Sequence, residues 1–169
     1  MKRWLIVLIA LVVLLVPSTA FAINTADVTV RATPSYISIS VDPSIPYDFG
    51  VVAESATPST TTSYWTIDNT SSVQTDQTIS VTTATWSGGV TWTHSDTCTP
   101  GTDTAGLKAN KGGAWETGDV IVKYTSPLFI AEDQAVNTDY SFGLKLWAPT
   151  SFGDGVQKQI IVRITAVAG

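Results

Sequence analysis

Two runs near the end of the chain in which every second residue is apolar are its most constraining feature. In the run 139–147 the apolar residues recur at every second position: Tyr140, Phe142, Leu144 and Leu146. The run 159–167 repeats the pattern: Ile160, Val162, Ile164 and Ala166. A period of two places alternate side chains on one face of a β-strand. We therefore expect two strands, paired as a long hairpin or lying in facing sheets, with Phe142, Leu144, Val162 and Ile164 in the core.

The first 22 residues have the layout of a secretory signal peptide. A basic start at 1–3 precedes an unbroken apolar run at 5–16, and Ala20 and Ala22 form an Ala-x-Ala cleavage pattern. The apolar run is shorter than the roughly 20 residues that span a bilayer. We therefore predict cleavage after Ala22 and a mature chain that begins at Ile23, with an uncleaved membrane anchor as the alternative.

Composition limits the class of the remaining chain, residues 23–169. Without Lys2 and Arg3 it has seven basic and fourteen acidic side chains, a formal net charge of −7, and Lys and Arg form no cluster of the kind that binds nucleic acid. Threonine, β-branched aliphatic and aromatic residues are frequent, as in strands. Cys98 is the only cysteine, so no internal disulfide is available and the core alone must hold the domain together.

Short strand-like runs separated by turn signals follow one another along the chain. We predict one all-β domain over residues 23–169, a single β-sandwich of about nine strands with jelly-roll or immunoglobulin-like topology. Short strands are expected at 47–52 and at 90–94, the latter with Val90 inward. Prolines 34, 43 and 46 predict edge strands near the start. Long polar loops are expected at 54–63 and 95–106.

Residues that carry catalytic or metal chemistry are few. His94 is the only histidine, so a hydrolytic triad or a two-histidine zinc site lacks partners, and we expect His94 to pack at the end of a strand. Cys98 is unpaired and shielded, joined to a neighbouring molecule by a disulfide, or part of a Cys–His dyad. Five loop aspartates leave calcium binding open, although none lies in a recognisable calcium loop: Asp96, Asp103, Asp119, Asp133 and Asp154. We predict no catalytic residue, no resident metal and no cofactor.

Three tryptophans are candidate ligand-binding residues. Trp86 and Trp115 lie beside Gly-rich turns, and Trp147 falls on the outward-facing side of its strand. Exposed tryptophans stack on sugar rings or anchor a protein partner. Burial under a loop is the favoured state of each, and exposure as a stacking platform is the alternative. Trp65 and Trp92 share a strand face with apolar residues, so we expect them in the core.

Three segments carry a resemblance to a known family. Tyr47-Asp-Phe-Gly-Val-Val52, Gly88-Gly-Val-Thr-Trp-Thr93 and the closing apolar strand resemble parts of bacterial cell-envelope β-sandwich proteins of the WxL type. The resemblance implies a surface protein that attaches noncovalently to the cell wall. His94 stands where the Trp-x-Leu pattern has leucine, so no binding residue is carried over.

These observations favour a secreted, non-catalytic structural or adhesive component of a cell surface or extracellular matrix. A carbohydrate-binding module that uses exposed tryptophans is the alternative function. The expected partner is a cell-surface or matrix protein or a polysaccharide, and not nucleic acid. The strand-like start of the mature chain, 27–41, is either the first strand of its own domain or a strand that pairs with the edge of a neighbouring copy.

Overall fold

Ten β-strands organise the part of the chain that the computed structural model describes, residue 29 and residues 31–169. The predicted signal peptide, residues 1–22, and its cleavage site lie outside this part. No helix occurs in the described residues, and accordingly none of them belongs to a helix that would cross a membrane. The prediction of an all-β fold is confirmed, and Pro34–Gly169 forms one compact unit.

The strands form two sheets. In chain order they are β1 (Ile39–Asp42), β2 (Trp65–Asn69), β3 (Thr75–Val81), β4 (Thr85–Trp86), β5 (Trp92–His94), β6 (Thr104–Asn110), β7 (Val120–Ile121), β8 (Leu128–Gln134), β9 (Asp139–Trp147) and β10 (Val162–Ala168). The larger sheet has the order β1-β2-β9-β6-β5-β4, and β7 also pairs with β6. The smaller sheet has the order β10-β3-β8. Neighbouring strands are antiparallel except β5 and β6, which are parallel.

The two alternating runs at the end of the chain lie in different sheets. β9 runs through the middle of the larger sheet between β2 and β6, whereas β10 is an edge strand of the smaller sheet. The hairpin interpretation is therefore wrong. The expected register of β9 is confirmed, because Phe142, Leu144 and Leu146 are buried. Val162 and Ile164 face the same core but are only partly buried.

One hydrophobic core is shared by both sheets. The larger sheet contributes alternate side chains of β2, β6 and β9, and the smaller sheet contributes Ile79, Val81 and Ile130. β3 alternates buried and partly buried residues along its whole length, as a half-buried strand requires. Complete burial of one side chain such as Ile67 or Ile79 stabilises the fold by roughly 1.5–3 kcal/mol.

Two predicted strand features are wrong for local reasons. Residues 47–52 form no strand, because the Asp48 carboxylate accepts a hydrogen bond from the Gly50 amide at 2.8 Å and Gly50 adopts a φ of 71°. That arrangement is a turn. Val90 is 43% exposed instead of inward, since β5 begins only at Trp92.

The polar segments predicted as loops border the middle of the larger sheet. The loop 95–106 ends early, because β6 begins at Thr104 and becomes a central strand. Segment 54–63 is irregular as predicted, yet it follows the edge of β9. The amide of Thr60 donates to the Leu144 carbonyl, and the amide of Leu146 donates to the Pro58 carbonyl, both at 2.9 Å. A loop held in this way protects backbone groups that β9 would otherwise leave unpaired.

Candidate functional site

An apolar groove of about 1380 Å³ opens between the two sheets of the described domain. Its floor consists of large side chains from the larger sheet: Trp65, Leu107, Phe142, Leu144 and Leu146. One wall is formed by β1 and the following segment 43–52, and the other by residues 154–162 and Ile164. Sites for small molecules usually enclose about 300–1,000 Å³, so the groove has room for a ligand of peptide size.

The groove exists because residues 31–169 leave the core open along one side. Ile67 of β2 and Ile79 of β3 are 0% exposed. By contrast, the groove-lining residues of the edge strands, Val41 of β1 and Val162 and Ile164 of β10, are only partly buried. Among residues 31–169, no strand pairs with the outer edge of β1 or of β10. Both strands therefore present apolar side chains beside the same opening, together with outer backbone groups that no strand of the described residues pairs with.

A cluster of aromatic rings fixes the wall that follows β1. The ring of Tyr47 lies edge-on to three others, with centroid distances of 5.0 Å to Phe49, 4.7 Å to Tyr64 and 5.9 Å to Trp65. Trp65 in turn stacks on Phe142 at 5.4 Å. Such pairs add roughly 0.5–1.5 kcal/mol each beyond their buried area. The cluster gives an irregular segment a defined position without a regular strand.

Polar contacts hold the opposite wall. The backbone groups of Ser87 and Gln159 exchange two hydrogen bonds of 2.9 Å. Lys158 donates to Asp154 at 2.5 Å and to the Gly88 carbonyl at 2.6 Å. The hydrogen bond from Lys158 is the main cause that lowers the pKa of Asp154. Near this end the two walls meet, since the side-chain amide of Gln157 donates to the Asp48 carboxylate at 3.3 Å.

Two buried indole groups line the groove and lack acceptors. Trp86 is 6% and Trp92 is 7% exposed, and the rings lie 6.1 Å apart in an edge-on arrangement. Neither indole Nε1 has a hydrogen-bond partner among the described residues. An unpaired buried donor costs about 1–3 kcal/mol. The groove therefore favours an occupant that offers hydrogen-bond acceptors as well as apolar groups.

The three predicted ligand-binding tryptophans do not form one site. Trp86 is buried in the groove wall, so it is no exposed platform for stacking. Trp147 lies on the outer face of the larger sheet, where the ammonium groups of Lys108 and Lys145 stand 4.6 and 4.8 Å from its ring centroid. Glu116 accepts hydrogen bonds from both lysines. Trp115, next to Glu116 in the chain, is partly buried.

His94 is a core residue, as expected from its strand register. It is 7% exposed, and its Nε2 lies 2.7 Å from the Val122 carbonyl oxygen. Nearby Asp96 organises the turn after β7. Burial raises the pKa of the Asp96 carboxyl, but hydrogen bonds from the Thr125 hydroxyl and from the amides of Tyr124 and Thr125 outweigh it and leave the pKa lowered. These contacts give His94 and Asp96 structural roles.

The Cys98 thiol is buried and donates a hydrogen bond to the Leu107 carbonyl at 3.0 Å. Burial raises its pKa to about 11. A thiol with this pKa is protonated at neutral pH and does not suit the role of a nucleophile. In the described part of the chain, no three His, Cys, Asp or Glu side chains are grouped so that they would hold a metal ion.

Comparison with known proteins adds no relative: no protein-family model, no curated protein and no solved structure matches the chain. The resemblance to WxL-type surface domains therefore stays a prediction. The groove was not predicted from the sequence. Its signal lies in the apolar residues Ile39, Val41 and Ile160, which alternate as in core strands but belong to segments at sheet edges.

Proposed function

We propose that the chain is a secreted, non-catalytic structural or adhesive component of a cell surface or extracellular matrix, and that it associates through the groove. The groove is the observation that carries the proposal. A large apolar opening bordered by two strand edges that no strand of residues 31–169 covers suits attachment to another polypeptide. In this proposal the two sheets are the layers of a single β-sandwich with immunoglobulin-like or jelly-roll topology.

The chemistry of the polar residues supports a binding role over a catalytic one. The Nε2 of His94 is engaged by a backbone carbonyl, and the Cys98 thiol is protonated at neutral pH. The net charge of −5 does not favour nucleic acid. We therefore place the partner among cell-surface or matrix proteins and polysaccharides.

The first residues of the chain support a location outside the cytosol, at the cell surface or in the extracellular matrix. Residues 1–22 have the order of a signal peptide, with a basic end, an apolar run and small residues at 20 and 22. The resemblance of segments 47–52 and 88–93 to WxL-type proteins points to the same surroundings. Fractionation of a bacterial culture that expresses the full chain tests this part. We expect the protein in the envelope or the medium with Ile23 as its first residue, whereas an intact chain in the cytosol would contradict the proposal.

A carbohydrate-binding module is the second candidate, supported by the position of Trp147 on the outer face of the larger sheet. The two lysine ammonium groups near its ring weigh against it, because they compete with a sugar for the aromatic face. Titration of tryptophan fluorescence with cell-wall polysaccharides separates the candidates. A saturable shift that is lost in Trp147→Phe but retained in Trp65→Phe would favour the module. No shift favours the structural or adhesive role.

A further inference from the structure

We propose that the groove accepts residues 26–33 of a second copy of this chain as an added β-strand. The inference rests on the proposed function and names its partner. The added strand would extend the smaller sheet beside β10 and close the core with its apolar side chains. A row of copies then forms, since each copy has one such segment and one groove.

The sequence of this segment suits the groove. Apolar residues occupy every second position: Ala26, Val28, Val30 and Ala32. Every residue between them is polar: Asp27, Thr29, Arg31 and Thr33. As a strand, the segment presents one apolar and one polar face. At about 3.3 Å per residue its eight residues span roughly 26 Å, comparable to the seven residues of β10.

The outer edge of β10, which no other described strand covers, supplies the backbone partners. In the described part of the chain, β10 pairs only with β3. An unpaired edge is a template for another strand, whose main-chain hydrogen bonds give affinity and whose alternate side chains enter pockets. Val162 and Ile164 point into the groove beside this edge and are partly buried. Apolar side chains of the added strand would complete their burial.

The indole groups in the groove favour a polypeptide over a purely apolar ligand. The Nε1 atoms of Trp86 and Trp92 are buried donors without acceptors among the described residues. A peptide backbone offers a carbonyl oxygen at every residue, whereas a hydrocarbon ligand offers none. Small side chains such as those of Ala26 and Ala32 leave that backbone accessible to neighbouring donors.

The path of the chain before β1 disfavours a tight turn that would fold residues 26–33 back beside their own β1. The Tyr36 amide donates to the Ser72 hydroxyl at 2.9 Å, and the Ser72 amide donates to the Tyr36 carbonyl at 3.1 Å. These bonds hold the chain against the turn after β2, with Pro34 only two residues earlier. The favoured two-residue hairpin turns need a positive φ at their first central residue, which the ring of Pro34 forbids. Thr33 also precedes the proline, which favours an extended conformation there.

Sedimentation velocity of the exported full chain over a range of concentrations tests the proposal. We expect wild type to form oligomers whose size grows with concentration. Val28→Asp/Val30→Asp places two charges on the apolar face and should weaken association at least about tenfold. The matched control Thr29→Asp/Thr33→Asp adds the same charges to the polar face and should assemble like wild type.

Disulfide trapping distinguishes exchange between copies from occupation of the chain's own groove. A Val30→Cys chain is mixed with an Ile164→Cys chain under mild oxidation, and wild type with Cys98 alone serves as the control. We expect a disulfide-linked heterodimer that wild type does not form. Formation of this heterodimer tests the proposal even if Val28→Asp/Val30→Asp fails to fold, because neither cysteine chain carries the aspartates.

Three results would overturn the inference. A monomeric wild type whose melting temperature falls on Val28→Asp/Val30→Asp would place the segment in its own groove. A monomeric wild type whose melting temperature does not change on Val28→Asp/Val30→Asp would show that residues 26–33 do not occupy the groove and that its partner is a different molecule. Equal loss of assembly in both double variants would show that added charge alone prevents assembly, and that the apolar face of the segment is not what binds. Each result can occur with the protein correctly located in the envelope, so failure here is distinct from failure of the proposed function.

Discussion

Cys98 lies so close to Gly106 that a Cβ on the glycine would stand 2.8 Å from the Cys98 Cα and 3.0 Å from its Sγ. Glycine usually weakens a strand interior, yet Gly106 occupies the middle of a central strand. The close approach gives the reason: the loop that carries Cys98 packs directly onto the backbone of β6. The thiol then reaches the Leu107 carbonyl at 3.0 Å.

Gly106→Ala should therefore lower the free energy of unfolding by about 1–3 kcal/mol, as expected for overpacking. Urea denaturation measures the change. Gly155→Ala is a matched control, because no atom lies within 4 Å of its added Cβ, and it should change stability by less than about 0.5 kcal/mol. Equal stability of the two variants would contradict the close contact.

Cys98 should react slowly with iodoacetamide in the native protein. Its pKa of about 11, against 9.0 for a free thiol, reduces the thiolate fraction at pH 8 by roughly 100-fold. Because the folded pKa is raised, the stability that this thiol contributes is fully present below pH 9 and is lost as pH rises through about 11. The test compares alkylation rates in buffer and in guanidinium chloride. Similar rates in the two solutions would contradict burial of the thiol and would favour the hypothesis that Cys98 forms a disulfide with a neighbouring molecule.

Alternation predicted the strands whose two faces differ. The apolar residues at alternate positions are buried, Ile79 and Val81 in β3 and Phe142, Leu144 and Leu146 in β9, so the sequence pattern contains the register. β6 was missed for a physical reason. Its residues Ala105, Gly106 and Ala109 have low strand propensity, and glycine is needed at 106 because Cys98 approaches closely. Such contacts come from distant parts of the chain and leave no local signal.

The candidate site was predictable only in part. Trp86 is buried beside Trp92, in agreement with the favoured interpretation, but the sequence does not show that it lines a groove. β4 has only two residues, so its own sequence pattern does not decide which side chain faces the core. The pairing with β5 decides it. The groove depends on which strands end as sheet edges. Strand order is set by long-range pairing, which alternation alone does not encode.

Leu144→Ala tests the core of the larger sheet. Leu144 is 6% exposed and lies opposite Ala109 of β6, so its truncation should cost roughly 2–5 kcal/mol of unfolding free energy. Val136→Ala, at a position 38% exposed, provides the control and should cost less than about 0.5 kcal/mol. A loss below about 1 kcal/mol for Leu144→Ala in denaturant melts would show that the register of β9 is wrong.

The carboxylates of Asp68 and Asp139 oppose each other on β2 and β9. Their hydrogen bond raises the pKa of Asp139, and their mutual repulsion raises it further. A proton therefore binds Asp139 more readily in the folded than in the unfolded chain, so wild type loses stability as pH rises through the folded pKa. Asp139→Asn removes the repulsion and should stabilise the protein at pH 7, with the gain disappearing below the unfolded value of 3.8.

Thermal melts of wild type and Asp139→Asn at pH 7 and at pH 3 measure this difference. Glu54→Gln, which removes an exposed charge in the segment after the groove wall, controls for the change in net charge. Glu54→Gln should change the melting temperature by a similarly small amount at both pH values, because it removes no repulsion between neighbouring carboxylates. A stabilisation by Asp139→Asn that persists unchanged at pH 3 would show that the gain comes from the amide's own hydrogen bonds and not from repulsion between the two carboxylates.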